Sequence, residues 1–220
     1  MSPDLLKLLI EGSLDTLYMV SISSLVALLA GLPLGVVLSV TSDEGILRNE
    51  PINVVLSFIV NIGRSAPFII LMIAIIPLTR WIVGTSIGIN AAIVPLSVAA
   101  IPFVGRVVES SLREIDGGVV EAALAMGATP FEIIYKVLLP EGLPGIIAGV
   151  TLTVINLVGY SAMAGTLGAG GLGDIAVRYG YQRFMLDVML ATIVILVVMV
   201  QLVQIIGDKI SSLTRHDKRN

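Results

Sequence analysis

The chain has 220 residues, of which 56% are hydrophobic and only 13% charged, with a mean hydropathy of +1.00 and a formal net charge of −3. That composition excludes an ordinary soluble domain and fits a polytopic helical membrane protein. The absence of cysteine excludes a disulfide framework, a thiolate metal site and a cysteine nucleophile. The one histidine, His216, falls in the polar C-terminal tail, which excludes histidine-based catalysis within the membrane.

The N-terminus carries Asp4, Lys7, Glu11 and Asp15 rather than a basic region, and no small-residue cleavage site follows a short apolar core, so no cleavable signal peptide is expected. The first span is predicted over 14–41, most of it in the uncharged run Thr16 to Ser42. That run is ample for one membrane helix of about 20 residues. Gly31 and Gly35 have the small-xxx-small spacing that allows close helix contact, and Pro33 between them is placed to kink the span; packing is the expected role of all three. A short polar loop with Asp43, Glu44, Arg48 and Glu50 follows. The second span is predicted over 51–79, interrupted at Asn61-Ile62-Gly63-Arg64-Ser65-Ala66-Pro67. The third covers 88–112, with Pro95 and Pro102 as kinks. After the segment 116–140 come a fourth span, 143–163, a glycine-rich loop and a polar connector, and then a fifth span, 187–207, with a tail from Asp208.

The fold class is therefore all-α, with five transmembrane helices that put the two termini on opposite sides. Positive charge decides which way. Arg48, Arg106, Arg113, Lys136, Lys209, Arg215, Lys218 and Arg219 fall on one side, and Lys7, Arg80, Arg178 and Arg183 on the other. The bias predicts a cytoplasmic C-terminus and 116–140 segment, with the N-terminus outside. Inverted repeats of the kind found in secondary transporters are not evident.

Asp116 to Pro140 is the only long segment between apolar runs that looks built to touch something. Two short amphipathic helices are predicted in it. The first has Asp116 as N-cap and Val119, Ala123 and Met126 on one face. The second opens with the capping box Thr129-Pro130-Phe131-Glu132, carries Phe131, Ile134 and Leu138 on one stripe, and ends at Leu139-Pro140. Gly127 is the joint between them.

Other candidate residues each have two readings. Arg64, with Ser65 beside it, is a guanidinium well inside a span: it either lines a translocation path or is satisfied by backbone carbonyls freed at a kink. Met163, at the end of the fourth span, either plugs a narrow path or packs. Arg106 and Glu109 are expected to form an i,i+3 ion pair, with a proton-carrying Glu109 as the alternative. Gly168 to Gly173 matches G-x-G-x-x-G in form only: no strand precedes it, so it is expected to be a close-packed external loop rather than a dinucleotide site. No P-loop and no metal-ligand cluster is present in the sequence, so no catalytic or metal residue is assigned; if the chain takes part in active transport, the energy, as ATP with its Mg, must come from another subunit.

Glu121-Ala122-Ala123, then Gly127, Val137 and Leu139-Pro140 at their spacing, resemble the EAA loop of the permeases of ABC importers. The family's usual Ile is Val137 here. Arg64-Ser65-Ala66-Pro67-Phe68-Ile69-Ile70-Leu71, Val83 to Gly88, Gly127-Ala128-Thr129-Pro130 and Gly159 to Gly165 are similar to stretches of the methionine-uptake permeases within that family. The resemblance implies one permease domain over 1–220 in a bacterial cytoplasmic (inner) membrane, and a homodimer around the path. It implies docking of Glu121, Ala122, Ala123, Gly127, Leu139 and Pro140 onto two ATP-binding subunits. It also implies an extracytoplasmic methionine-binding protein that delivers D- or L-methionine; lipid surrounds the spans and no nucleic acid is involved. Another amino acid as cargo is the near alternative. An ion-coupled secondary transporter would want acidic groups deep in the membrane, where the sequence shows only Arg64, and an intramembrane enzyme lacks its nucleophile or acid pair.

Overall fold

The computed structural model describes residues 3–214, and every regular element among them is helical. The tail charges Arg215, Lys218 and Arg219, with His216, lie outside the described residues. Among the described residues ten α-helices follow in order: α1 (Pro3–Val40), α2 (Glu50–Ser65), α3 (Phe68–Ala74), α4 (Ile76–Val83), α5 (Ile89–Arg113), α6 (Gly117–Ala125), α7 (Pro130–Ile133), α8 (Leu139–Thr166), α9 (Gly171–Ile175) and α10 (Leu186–Thr214). Wide π turns at Ile134–Leu138 and Ala176–Tyr181 join α7 to α8 and extend α9.

Among the described residues, four helical stretches are long and apolar enough to cross a membrane, and a fifth is obtained when α2 and α3 are counted together as one broken span. The break falls at Ser65-Ala66-Pro67, inside the interruption read from the sequence. A residue before proline is driven out of the α region, so α2 stops there and α3 starts afresh behind Pro67.

Helix α1 begins eleven residues earlier than expected, at Pro3 rather than 14. The reason is amphipathic: Lys7 and Glu11 pair at i,i+4 on the outer face (3.9 Å), while Leu9 is buried and Leu5 and Leu8 pack beside it. The charges that seemed to precede the span ride on its outside. The helix also runs unbroken through Pro33.

The contacts divide the chain into two compact units, to both of which α1, α5, α8 and α10 contribute. The first holds α1 as far as Ala27, Ala66–Ala100 and Thr153–Gln204. One apolar cluster of its core is Leu9, Leu172, Ile175, Val188 and Met199. The glycine-rich stretch is threaded into this core. The Leu172 amide donates to the buried Thr16 Oγ1 at 3.0 Å, and the Gly88 amide donates to the Gly168 carbonyl at 2.9 Å. A Cβ on Gly165 would stand 2.7 Å from the Gly173 carbonyl carbon, and one on Gly173 would stand 2.6 Å from the Ala162 Cα. These glycines are spacers between backbones, which fits the close-packed reading of the loop.

The second unit holds Leu28–Ser65, Ile101–Leu152 and the chain from Ile205. Here the small-residue spacing of α1 does what it predicts. A Cβ on Gly31 would meet the Val104 Cβ at 2.6 Å, and one on Gly35 the Val108 Cβ at 2.5 Å, so α1 and α5 touch nearly backbone to backbone. Asn53 Nδ2 donates to the Leu38 carbonyl (2.7 Å) and to Thr41 Oγ1 (3.1 Å), fixing α2 to the end of α1. Ser211 Oγ donates to the Pro144 carbonyl at 2.9 Å, which ties α10 to α8 and satisfies an acceptor near a helix proline.

Candidate functional site

The segment 116–140 forms as local sequence chemistry dictates. Asp116 caps α6, its Oδ1 accepting from the Gly118 amide at 2.9 Å. The helix ends in a Schellman motif: the Ala128 amide donates to the Ala123 carbonyl (3.1 Å) and the Gly127 amide to the Leu124 carbonyl (2.9 Å). Gly127 takes φ 82°, and nothing lies within 4 Å of where its Cβ would be. Thr129 and Glu132 then complete the capping box in both directions, with Pro130 in the first turn, and Lys136 Nζ donates to the same carboxylate at 2.9 Å.

Two expectations need correction. The second helix does not end at Leu139-Pro140 but runs on into α8, as one helical stretch from Pro130 to Thr166. In an α turn the Pro140 ring would strike the carbonyl four residues back and leave a bond unmade. The π turn at Ile134–Leu138, with the Leu139 amide donating five residues back to Ile134, widens the backbone just ahead of the proline. The inward faces also differ. Ala123, Ile133 and Leu138 are buried, whereas Met126 is 82% and Phe131 76% exposed. Met126 is the C-cap of α6, past its last helical residue, and Phe131 stands in the first turn of α7.

The candidate coupling residues are presented unequally. Glu121, Ala122, Gly127 and Pro140 are exposed and Leu139 is half-buried, while Ala123 is turned inward. Of the two alanines, only Ala122 is open to a partner. Glu121 borders a cavity of about 460 Å³ that also has Glu44, Ser42 and Arg113 in its wall. On the same segment, Met126, Phe131 and Tyr135 are exposed large side chains among many alanines and glycines.

Glu109 is nearly sealed, with a side-chain exposure of 2%. Arg106 Nη1 meets its Oε2 at 2.6 Å, as the i,i+3 spacing predicts, and Arg113 Nη2 stands 3.4 Å from its Oε1. Sequence reasoning missed Arg113, although its i,i+4 spacing from Glu109 was there to read. Arg64 and Ser65 lie exposed in the last turn of α2. The Arg64 guanidinium carbon sits 5.4 Å from the Phe103 ring centroid, a cation–π contact that no sequence spacing announces. Ser65 Oγ donates back to the Asn61 carbonyl at 2.7 Å. In the other unit, Met163 is half exposed on α8, and Tyr160 stacks on Phe68 with centroids 4.6 Å apart.

A family model described as binding-protein-dependent transport system inner membrane component matches residues 31–216. The chain is 57% identical over 201 residues to the probable D-methionine transport system permease protein MetI of Vibrio cholerae, covering 91% of this chain and 89% of that one. Its likeness to the corresponding Pasteurella multocida protein is 48% over 216 residues, 98% of this chain and 100% of the other. Among solved structures, a chain of the MetNI methionine ABC transporter in inward-facing conformations superposes with a TM-score of 0.96 at 50% identity, covering 98% of this chain and 100% of that one. A chain of an amino acid ABC transporter crystallised with histidines shares the fold alone, with a TM-score of 0.71 at 20% identity over 97% and 98% of the two chains.

Proposed function

The chain belongs to the family of binding-protein-dependent transport system inner membrane components, and on that premise we propose that it is the membrane-spanning subunit of an ATP-driven methionine importer. The observation that carries this reading is the end-to-end match to a chain of a methionine ABC transporter. D-methionine transport named for the relatives supports the same cargo. The subunit does no chemistry of its own. A homodimer with a two-fold axis would enclose the path between two copies and offer two 116–140 segments to two ATP-binding subunits in a bacterial inner membrane.

The geometry of that segment supports a docking role. It is a short capped helix and a second capped turn hinged at a glycine, with Glu121 and Ala122 open and Met126, Phe131 and Tyr135 protruding. The second turn is one helix with α8, so a displacement of the docked end is passed directly into a membrane span. ATP binding that closes the ATPase pair would thus rock the spans between two states of access. A binding protein supplies the cargo from the outer side.

Reconstitution with the cognate ATPase and binding protein tests this. Glu121→Lys and Gly127→Pro are expected to lower ATP-dependent methionine uptake by about tenfold or more and to loosen ATPase co-purification. Uptake that persists without any ATPase overturns the reading in favour of an ion-coupled transporter. An ATPase that docks without methionine being carried keeps the class and changes the cargo.

A further inference from the structure

Arg64 lies fourteen residues along α2 from Glu50, about 21 Å along the helix axis, in a bilayer whose hydrocarbon core is about 30 Å thick. It is exposed on the surface of the chain, and among the described residues it forms no ion pair. A guanidinium at that depth facing lipid is costly, so this side of α2 faces water or protein.

The rest of the chain offers no counter-charge. The sequence has no Asp or Glu in 16–42, 51–108, 142–173 or 188–207. A second copy of the chain has the same gaps, so pairing within a homodimer brings no carboxylate to this depth. Glu109, the next acid in sequence, is buried between Arg106 and Arg113. Neither copy of the chain therefore supplies a fixed carboxylate for Arg64, and an anion that enters the path would meet an unpaired cation.

We propose that Arg64 is the carboxylate anchor of the translocation path, taking the α-carboxylate of the passing amino acid in a two-pronged hydrogen bond. This rests on the permease reading above, but not on methionine as the cargo, since every α-amino acid carries the group. Phe103 holds the cation by its ring face, and the N–H donors, which lie in the guanidinium plane, stay free to meet a planar carboxylate. Exposure keeps the grip weak, as a conduction site requires: favourable enough to enter and loose enough to leave.

The chain has no cysteine, which permits a charge-restoring test. Wild type, Arg64→Gln, Arg64→Lys and Arg64→Cys are reconstituted with the ATPase and binding protein. Methionine uptake is read beside the ATP hydrolysis stimulated by loaded binding protein. Arg64→Gln is expected to lower uptake about 10–100-fold, the worth of one charge-assisted contact, while stimulated hydrolysis stays within about twofold. Arg64→Lys keeps the charge without the fork and falls between. Arg64→Cys recovers uptake after modification with aminoethyl methanethiosulfonate and not with its sulfonatoethyl counterpart.

Wild-type uptake by Arg64→Gln overturns the proposal, as does equal rescue by the two reagents. A parallel loss of uptake and hydrolysis that neither lysine nor the cationic reagent relieves makes Arg64 a structural residue, and also overturns it. A wild type that carries a different amino acid leaves the comparison readable with that substrate. A wild type that carries none sinks the permease reading, and this one with it.

Discussion

Two glycine-bearing stretches of the chain look alike in sequence and differ in what surrounds them. Gly165 and Gly173 are pressed against backbone: their Cβ positions would fall 2.7 Å from the Gly173 carbonyl carbon and 2.6 Å from the Ala162 Cα. Gly127 has open space around it and a φ of 82°. The first pair is glycine because there is no room for a side chain. Gly127 is glycine because only a residue without a Cβ takes the left-handed turn of a Schellman cap at no cost. A tight stretch holds elements in fixed relation, whereas an open one sets direction and leaves its neighbours free to meet something else. On the reading above, that something is an ATPase.

The comparison is broken most forcefully by giving each region an alanine. Gly173→Ala forces backbone apart in the first unit, and the loss is expected at about 3 kcal/mol or more, the severe end of overpacking. Thermal unfolding in detergent with size-exclusion profiles should show a large drop in midpoint or the loss of a monodisperse species. Midpoints within a few degrees of wild type would mean that the stretch is looser than its geometry says.

Gly127→Ala meets no atom, so its cost is only that of a left-handed alanine, about 1–2 kcal/mol, confined to the joint. The unfolding midpoint should barely move while ATP-dependent uptake falls, because the second capped turn is re-aimed. Gly127→Asn sharpens the point. Asparagine tolerates the left-handed region better, so uptake should lie between wild type and Gly127→Ala. Equal losses in both variants would show that the joint needs space and not conformation, and the contrast with Gly173 would collapse.

Much of this was legible because it is local. Asp116 as N-cap, the Thr129–Glu132 box, the turn at Gly127 and the interruption at Asn61–Pro67 are each written within a few residues, where hydrogen-bond and dihedral rules act. The close approach of Gly31 and Gly35 to α5 was legible as a spacing, without its partner. What escaped depends on tertiary context. Proline read as a stop at Pro140, but the π turn ahead of it let the helix continue. Apolar spacing put Met126 on one face with Ala123 and Phe131 on one stripe with Leu138, yet Ala123 and Leu138 are buried while Met126 and Phe131, at helix ends, are exposed. Phe103 lies 39 positions from Arg64, and no spacing rule joins them.

The smallest effect is expected at Thr129. Its hydroxyl accepts from the Glu132 amide at 3.4 Å and donates to the Glu132 carboxylate at 2.9 Å, while that carboxylate accepts from the Thr129 amide at 3.0 Å. Thr129→Ala removes the hydroxyl and costs about 1 kcal/mol of local helix stability. Thr129→Ser keeps the cap and costs only part of that. Because Pro130 to Thr166 is one helical stretch anchored in the membrane, the loss cannot unwind α8 and should appear only as faster amide exchange in the first turn, at Glu132 and Ile133. Uptake should fall modestly, less than for Gly127→Ala, since the direction of the chain at the joint is preserved. If Thr129→Ala instead matched the loss of Gly127→Ala with the same folded midpoint, the order of the first turn, not the direction set by the glycine, would be what the partner reads.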